Sequence, residues 1–444
     1  MARIWTTRAL LLCSLLLLTW GVIASDDDRA EGLAYEAIQK VEVYTDNATS
    51  STTGQSSGVV VVPEKGWYIP KICSGGYCVF ANRGLVNGRG LALVTKFEDF
   101  QKVERVEDHL NRGANKYDQK PGEGWEEADV VEKGPGIVAL KPLRRGKPLM
   151  AWTPVLMVHK DLFRDVTHKA ERTRLLEKAV SFLPDQTRER FNKQRGGKEH
   201  TEVDDPWRSV EDVVLAHPFE IDLGFAVKPD DHAKHYVNYP EVSVLQHDCR
   251  PNVAFYIDNN LAHRTTIARK VQPGEELTIA YVDPMLARGE RNEWIKKHRG
   301  LRPGNKENKK CPCLACNQKG NLAELKKSDA RIEELLAIQA ELKNHDSTKV
   351  TPEMIARYVE LHELERLNTK LADAYELVAL NYNYLGDHKN AKKYADLAVQ
   401  AGIVEGGVES NDVVAMRIMA SDVKGHYSYE FTVKKNKKSK SSRS

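Results

Sequence analysis

The chain has 444 residues, more than one ordinary hydrophobic core holds, so two or three domains are expected. Its 66 Lys and Arg stand against 63 Asp and Glu, a net charge of +3. That balance gives no global field to draw the chain to nucleic acid or an anionic bilayer, so no direct nucleic-acid binding is expected and any charge bias must be local.

In chain order, Arg3 and Arg8 precede the apolar run Ala9 to Leu18, and Thr19 to Ala24 then leads into Ser25 and three aspartates. This is the layout of a signal peptide over 1–24, with Val22 and Ala24 small enough for the cleavage positions. The run is shorter than the roughly 20 residues a membrane span needs, and no later stretch is apolar enough to span. A mature chain starting near Ser25, with no membrane span and located in the secretory route or outside the cell, is therefore expected. An uncleaved anchor is the alternative, and a nuclear or cytoplasmic location follows if this N-terminus is no signal. Asn47-Ala48-Thr49 offers a glycosylation sequon. Residues 26 to 58 are rich in Ser, Thr and Asp and read as loosely ordered, apart from a short helix over Gly32 to Val43.

From Gly58 the text becomes short strands with glycine punctuation: GVVVVP, GWYIPKIC, YCVFANRG and RGLALVT. Cys73 and Cys78 bracket the turn-rich Ser-Gly-Gly-Tyr, suited to a small disulfide-closed loop in an oxidising compartment. Residues 101 to 125 are charged and read as a linker. Strands resume at Gly136, with Pro-Leu-Arg-Arg-Gly as a turn between apolar runs. Ala170 to Leu183 has a helical face of Leu175, Leu176, Ala179, Val180 and Leu183, and the polar stretch after it reads as a solvated helix end or loop. Strand text returns from Tyr236 to Asp283, broken by Pro-Gly-Glu-Glu.

The last third is helical: Ile332, Leu335, Leu336, Ile338 and Leu342 recur at helical spacing, and Thr351-Pro352 reads as an N-cap with proline in the first turn. Residues Ala374 to Ala398 place Tyr375, Ala379, Tyr382, Gly386, Ala391 and Ala398 at the spacings of a tetratricopeptide helix pair. The basic tail 434–444 reads as solvated rather than as a nuclear-import signal.

The stretch Val-Ser-Val-Leu-Gln-His-Asp-Cys-Arg-Pro-Asn-Val-Ala-Phe-Tyr, residues 242–256, sets polar chemistry between two apolar runs that both read as strand. Its Cys249 has distant partners in Cys311, Cys313 and Cys316, a CxCxxC group. Three soft ligands in six residues need a fourth for tetrahedral zinc, and Cys249 supplies it. Two disulfides among the same four thiols are the alternative in a secretory compartment.

Four segments in order, GPGIVALKPLRRGKPLM (134–150), LQHDCRPNVAFY (245–256), PGEELTIAYVDP (273–284) and CPCLAC (311–316), resemble the SET-domain protein-lysine methyltransferases. They match that family's GxG start, NHxCxPN motif, GEELxxxY motif and post-SET zinc segment over about 127 to 318. The N-terminal cysteine segment resembles secreted fungal SET-domain proteins, and the helical C-terminus is similar to SMYD-type proteins.

The resemblance implies an α+β fold: a β-rich SET domain with a knot-like core, a post-SET zinc segment and a C-terminal tetratricopeptide-like helical domain. The corresponding segments are an N-terminal β-rich region (25–126), the SET domain (127–285), the post-SET segment (286–320), the helical domain (321–433) and the tail. It also implies methyl transfer from S-adenosylmethionine to lysine of a protein substrate, by a chain expected to be monomeric. Tyr281 matches the catalytic tyrosine and also lines the cofactor pocket. Gly134, Gly136, Gln246 and His247 match cofactor-contacting positions, and Cys249, Cys311, Cys313 and Cys316 match the zinc ligands. Asn252 and Pro251 would fix a chain crossing. Two residues depart from the pattern: Gln246 and His217 each stand where the family usually has asparagine, which leaves a non-catalytic binding or scaffold protein as the competing reading.

Overall fold

Among the described residues, fourteen short strands with helices between them precede a C-terminal run of helices; the computed structural model describes residues 66–68, 72–105, 110, 114–130, 134–196, 208–223, 234–299, 311–316, 321–345 and 347–435. The signal segment, the sequon, the helix expected over Gly32 to Val43 and the tail beyond Lys435 lie outside the described residues. The strands are β1 (Cys73–Ser74), β2 (Tyr77–Asn82), β3 (Leu91–Thr95), β4 (Lys116–Tyr117), β5 (Trp125–Val130), β6 (Gly134–Ala139) and β7 (Pro148–Trp152). They continue with β8 (Leu156–His159), β9 (Phe219–Asp222), β10 (Lys234–Asn238), β11 (Gln246–His247), β12 (Val253–Ile257), β13 (His263–Ile267) and β14 (Thr278–Ile279).

β1 and β2 form a hairpin because Gly75 and Gly76 both take positive φ, the conformation a two-residue hairpin turn requires. Cys73 and Cys78 face each other in that register and are disulfide-bonded. The hairpin begins a six-stranded sheet in the order β1-β2-β3-β8-β10-β9, in which β3 runs parallel to β8. Strands from the stretch 25–126 thus share a sheet, and a core, with strands of 127–285. A second sheet runs β12-β13-β7-β4, while β5 pairs with β6 and β11 with β14.

Helices occupy three polar stretches, one read as linker, one as a solvated helix end or loop and one as part of the post-SET segment, each for the same physical reason. Phe97–Arg105, at the start of the expected linker, sets Phe100 and Val103 into the core, with Phe100 stacked on Phe80 at 4.2 Å. Asp185–Asn192 follows Pro184 and buries Thr187 and Phe191, four residues apart. Arg288–Arg299, within the expected post-SET segment, buries Ile295 and Arg291. In all three, two buried residues at helical spacing outweigh a polar majority. Conversely, Val242 to Leu245 is not strand: the chain turns after Tyr239-Pro240, with Val242 N–H bonding to Tyr239 O and Leu245 N–H to Val242 O, yet Val242 and Leu245 are buried.

The C-terminal helices are Leu322–Lys343, Pro352–Leu364, Leu371–Tyr384, His388–Glu405 and Asn411–Ser421. Thr351 caps the second, its hydroxyl accepting from Met354 N–H at 3.3 Å. Gly386, at positive φ, turns the chain between the third and fourth. Their core contains Leu335, Leu342, Ile355, Tyr358, Val378, Ala391 and Ala395, and Met285 from the end of the strand region packs into it. Leu336, on the expected apolar face, is instead exposed. Among the described residues no helix is long and apolar enough to cross a membrane.

Candidate functional site

The site is assembled where four chain segments meet. β6 pairs with β5 on one side, and on the other its backbone bonds to residues 275–277, through Ala139 N–H to Glu275 O at 2.9 Å and Leu277 N–H to Ile137 O at 2.8 Å. Gly136 is needed there because a Cβ would lie 3.0 Å from Val130 Cγ2 and 3.3 Å from both Gln246 Cγ and Glu276 Oε1. Gln246 Nε2 donates at 2.6 Å to Pro135 O, the carbonyl between Gly134 and Gly136. The extra methylene of Gln246 therefore lets its amide reach the glycine strand.

Gln246 and His247 form β11, which lies parallel to β14. Asn252 staples the same region: its Nδ2 donates to Glu276 O at 2.7 Å and its Oδ1 accepts from Thr278 N–H at 2.9 Å. Both ends of one buried amide are satisfied by a neighbouring segment, which fixes that segment's register. One short connection therefore carries strand pairing, the staple and a cysteine.

His247 links the tyrosine to the cysteines. Its Nδ1 accepts from Tyr281 N–H at 3.0 Å, so in the neutral ring the proton sits on Nε2, which is 3.1 Å from Cys249 Sγ. The Tyr281 hydroxyl donates to Leu245 O at 2.7 Å, and the half-buried ring lies 5.3 Å from the imidazole, centroid to centroid.

Cys249, Cys311, Cys313 and Cys316 are buried, unbridged thiols. Cys249 Sγ lies 4.0 Å from Cys311 Sγ and 3.4 Å from Cys316 Sγ. A tetrahedron of zinc–sulfur bonds has sulfur–sulfur edges of about 3.8 Å, whereas a disulfide requires about 2.05 Å. The spacing thus fits a metal-sized centre and not two disulfides. The Cys316 thiol is held well below its ordinary value, by hydrogen bonds from Cys249, Cys311 and Cys313 and then by the charge of Arg291. Arg291, fully buried, brings Nη2 to 3.8 Å from Cys316 Sγ. Four thiolates around a divalent ion carry a net charge of about −2, which this guanidinium offsets. Asn292, on the same helix, accepts from Cys311 N–H at 2.9 Å and orients the loop. The donor atoms of His247, Cys249, Cys311 and Cys313 also lie within 4.8 Å of one another. Since Nε2 of His247 carries its proton toward sulfur, the four thiols are the donor set that fits zinc.

The structure brings Gly134, Gly136, Gln246, His247, Tyr281 and the four cysteines into this one region. His217 stands apart from these hydrogen bonds: it ends the helix Val210–Ala216, with Nε2 3.1 Å from Arg195 O. Sequence reading passed over Arg291, on the largely charged helix Arg288–Arg299, and over Arg250, whose carboxylate partner Glu365 is distant in sequence. It also passed over the buried aromatic group in which His263 lies 4.5 Å from Phe219, 4.8 Å from Phe255 and 5.2 Å from Tyr239.

Residues 134–282, which contain Gly134, Gly136, Gln246, His247, Cys249, Asn252 and Tyr281, match the family model of the SET domain. The chain therefore carries a SET domain within a mixed α+β fold with a helical C-terminal region, and the match supports a place in the SET methyltransferase family. It is similar to the histone-lysine N-methyltransferase SMYD3 of Mus musculus, at 26% identity over 183 residues, covering 41% of this chain and 37% of that protein. Against the Homo sapiens SMYD3 it is 29% identical over 112 residues, 24% of each. The matches thus span well under half of those curated relatives.

Proposed function

We propose that this chain is a protein-lysine N-methyltransferase that takes its methyl group from S-adenosylmethionine. The observation that carries the reading is the convergence of the glycine strand, the Gln246-His247 pair and Tyr281 on one another and on four unbridged thiols. The SET-domain match and the SMYD3 similarity support it. Gly134, Gly136, Gln246, His247 and the ring of Tyr281 would hold the cofactor, the glycines because they leave room for a close backbone approach. Bound there, the cofactor would supply an electrophilic methyl group on a cationic sulfur. The protein's part is positional: the Tyr281 ring offers its face to a cation, and its hydroxyl, already aimed at a backbone carbonyl, orients a neutral acceptor amine. The buried surroundings favour that neutral amine. Zinc held by Cys249, Cys311, Cys313 and Cys316 would keep the post-SET loop over β11 and β14.

Finer assignments belong to the same proposal. The parallel β11–β14 pair, crossed by the Asn252 staple, supports a knot-like core. The helix pair turned at Gly386 supports a tetratricopeptide-like architecture. The leader at 1–24 and the Cys73–Cys78 disulfide support passage through the secretory route, with the protein of the secreted fungal type and its substrate met there. One observation favours a scaffold instead: the Gln246 amide is spent on Pro135 O.

Calorimetric titration of residues 25–444 with S-adenosylmethionine, beside Tyr281→Phe and a zinc assay on the same sample, separates the two. Micromolar binding with about one zinc per chain supports the enzyme. Zinc without cofactor binding would leave the scaffold.

A further inference from the structure

The helical region is tied into the site by a buried ion pair. Arg250 follows the candidate ligand Cys249 and precedes the Pro251-Asn252 staple. Its guanidinium donates to Cys249 O at 2.8 Å and Pro284 O at 3.1 Å, and to Glu365 Oε2 at 2.6 Å. Pro284 lies three residues past Tyr281, so one side chain holds the segment carrying His247 to the segment carrying the tyrosine. Both partners are almost wholly buried, with side chains 4% and 3% exposed.

Glu365 is placed by the helices and not by the strands. It sits at the end of Pro352–Leu364, and its carboxylate also accepts from Ser328 Oγ at 2.7 Å and Arg331 Nε at 2.6 Å, both on Leu322–Lys343. Two further ties flank it in the same turn: Arg145 Nη1 donates to Asn368 O at 3.1 Å, and Lys370 Nζ pairs with Asp283 at 3.3 Å.

We infer that Glu365 is a positioning residue for the methyl-transfer site, acting through Arg250 to hold the 246–252 and 277–285 segments in register. The inference rests on the methyltransferase reading for its functional meaning, but its geometry does not depend on a cofactor. The energetic logic is asymmetric: a buried guanidinium left without its carboxylate is costly and must move toward water, releasing the carbonyls of Cys249 and Pro284.

The test is hydrogen exchange on the full chain in wild type, Glu365→Gln and Glu365→Ala, paired with titration by S-adenosylmethionine. Gln keeps one acceptor of the same length but removes the charge and turns the other oxygen into a donor facing Arg250 or Arg331, so it is expected to fall between wild type and Glu365→Ala in both measurements. In Glu365→Ala, amides of 246–252 and 277–285, Tyr281 N–H among them, are expected to exchange at least tenfold faster while β2 and β3 hold. Cofactor affinity should fall about tenfold with it. Faster exchange confined to 322–370, or none, overturns the inference. If Glu365→Ala does not fold, Glu365→Asp decides the matter, since a carboxylate one methylene short should loosen the same two segments. A wild type that fails to bind S-adenosylmethionine sinks the methyltransferase reading alone, because exchange still decides the clamp.

Discussion

Tyr281, Cys249 and His263 show how differently single side chains can matter. Tyr281→Phe keeps the ring and its packing, so cofactor binding should stay within a few-fold while methyl transfer to a lysine substrate drops by roughly 10² or more, the usual range for losing one oriented polar group in the transition state. Equal turnover by the two proteins would remove the hydroxyl from the mechanism. Cys249→Ser removes a soft ligand from a buried set of four. Zinc per chain should fall well below one, and the melting temperature should fall with it, because metal binding to such a site is coupled to folding. A chelator should do the same to wild type and change the variant little. His263 is fully buried among aromatic rings, and burial pushes its pKa down to about 3. The unfolded chain takes a proton near pH 6.5 that the folded one refuses. Stability is therefore intact above pH 6.5 and is lost as pH falls toward 3, by up to roughly 1.4 kcal/mol per pH unit from this group. His263→Leu should raise the melting temperature at pH 5 relative to that at pH 7; an unchanged difference would move the acid sensitivity elsewhere, for instance to His362, also lowered by burial to about 4.

Among the elements, the short connections carry the most information. β11 and β14 are two residues each, too short to persist alone, and they hold because the Asn252 amide and Asp248 N–H bond to the β14 segment while the Gln246 amide ties β11 to β6. The helix His388–Glu405 ends against the strand region, where Gly407, at positive φ, faces Tyr256: an added Cβ would lie 2.7 Å from the phenol oxygen. Gly407→Ala combines strain with overpacking and should cost about 2 kcal/mol, read as a shift of the denaturation midpoint at constant m-value. No shift would mean that this contact yields freely.

At the scale of the molecule, the helical region belongs to the fold of the site. Met285 enters the helical core, Arg250 reaches Glu365, and Val404 packs with Ala254 and Ala268 of the strand region. In the other direction, β3 pairs with β8 and ties the disulfide hairpin into the six-stranded sheet. Burial also sets opposite pH trends at this scale. Glu405 is pushed up to about 8 by burial despite Arg145 3.5 Å away, so its contribution is present at low pH and lost as pH rises from about 4.5 to 8. A stability maximum between the acid loss from His263 and the alkaline loss from Glu405 is expected, and Glu405→Gln should flatten only the alkaline side.

The sequence by itself determined the ordered motif set, the grouping of Cys249 with the CxCxxC segment, the strands β2 and β3, and the helix pair around Gly386. Each rests on local spacing or on residue types whose chemistry has few alternatives. The tertiary structure alone decided the rest. Charged stretches became helices because two buried residues at helical spacing outweigh their polar majority. Val242 to Leu245 became a buried turn because apolar residues enter a core without being strand. Arg250 found Glu365 across 115 residues because buried polar groups must be satisfied by whatever the fold brings near, and the amide of Gln246 found Pro135 O because β6 is folded beside it. Which partner that is depends on packing and not on any pattern along the chain.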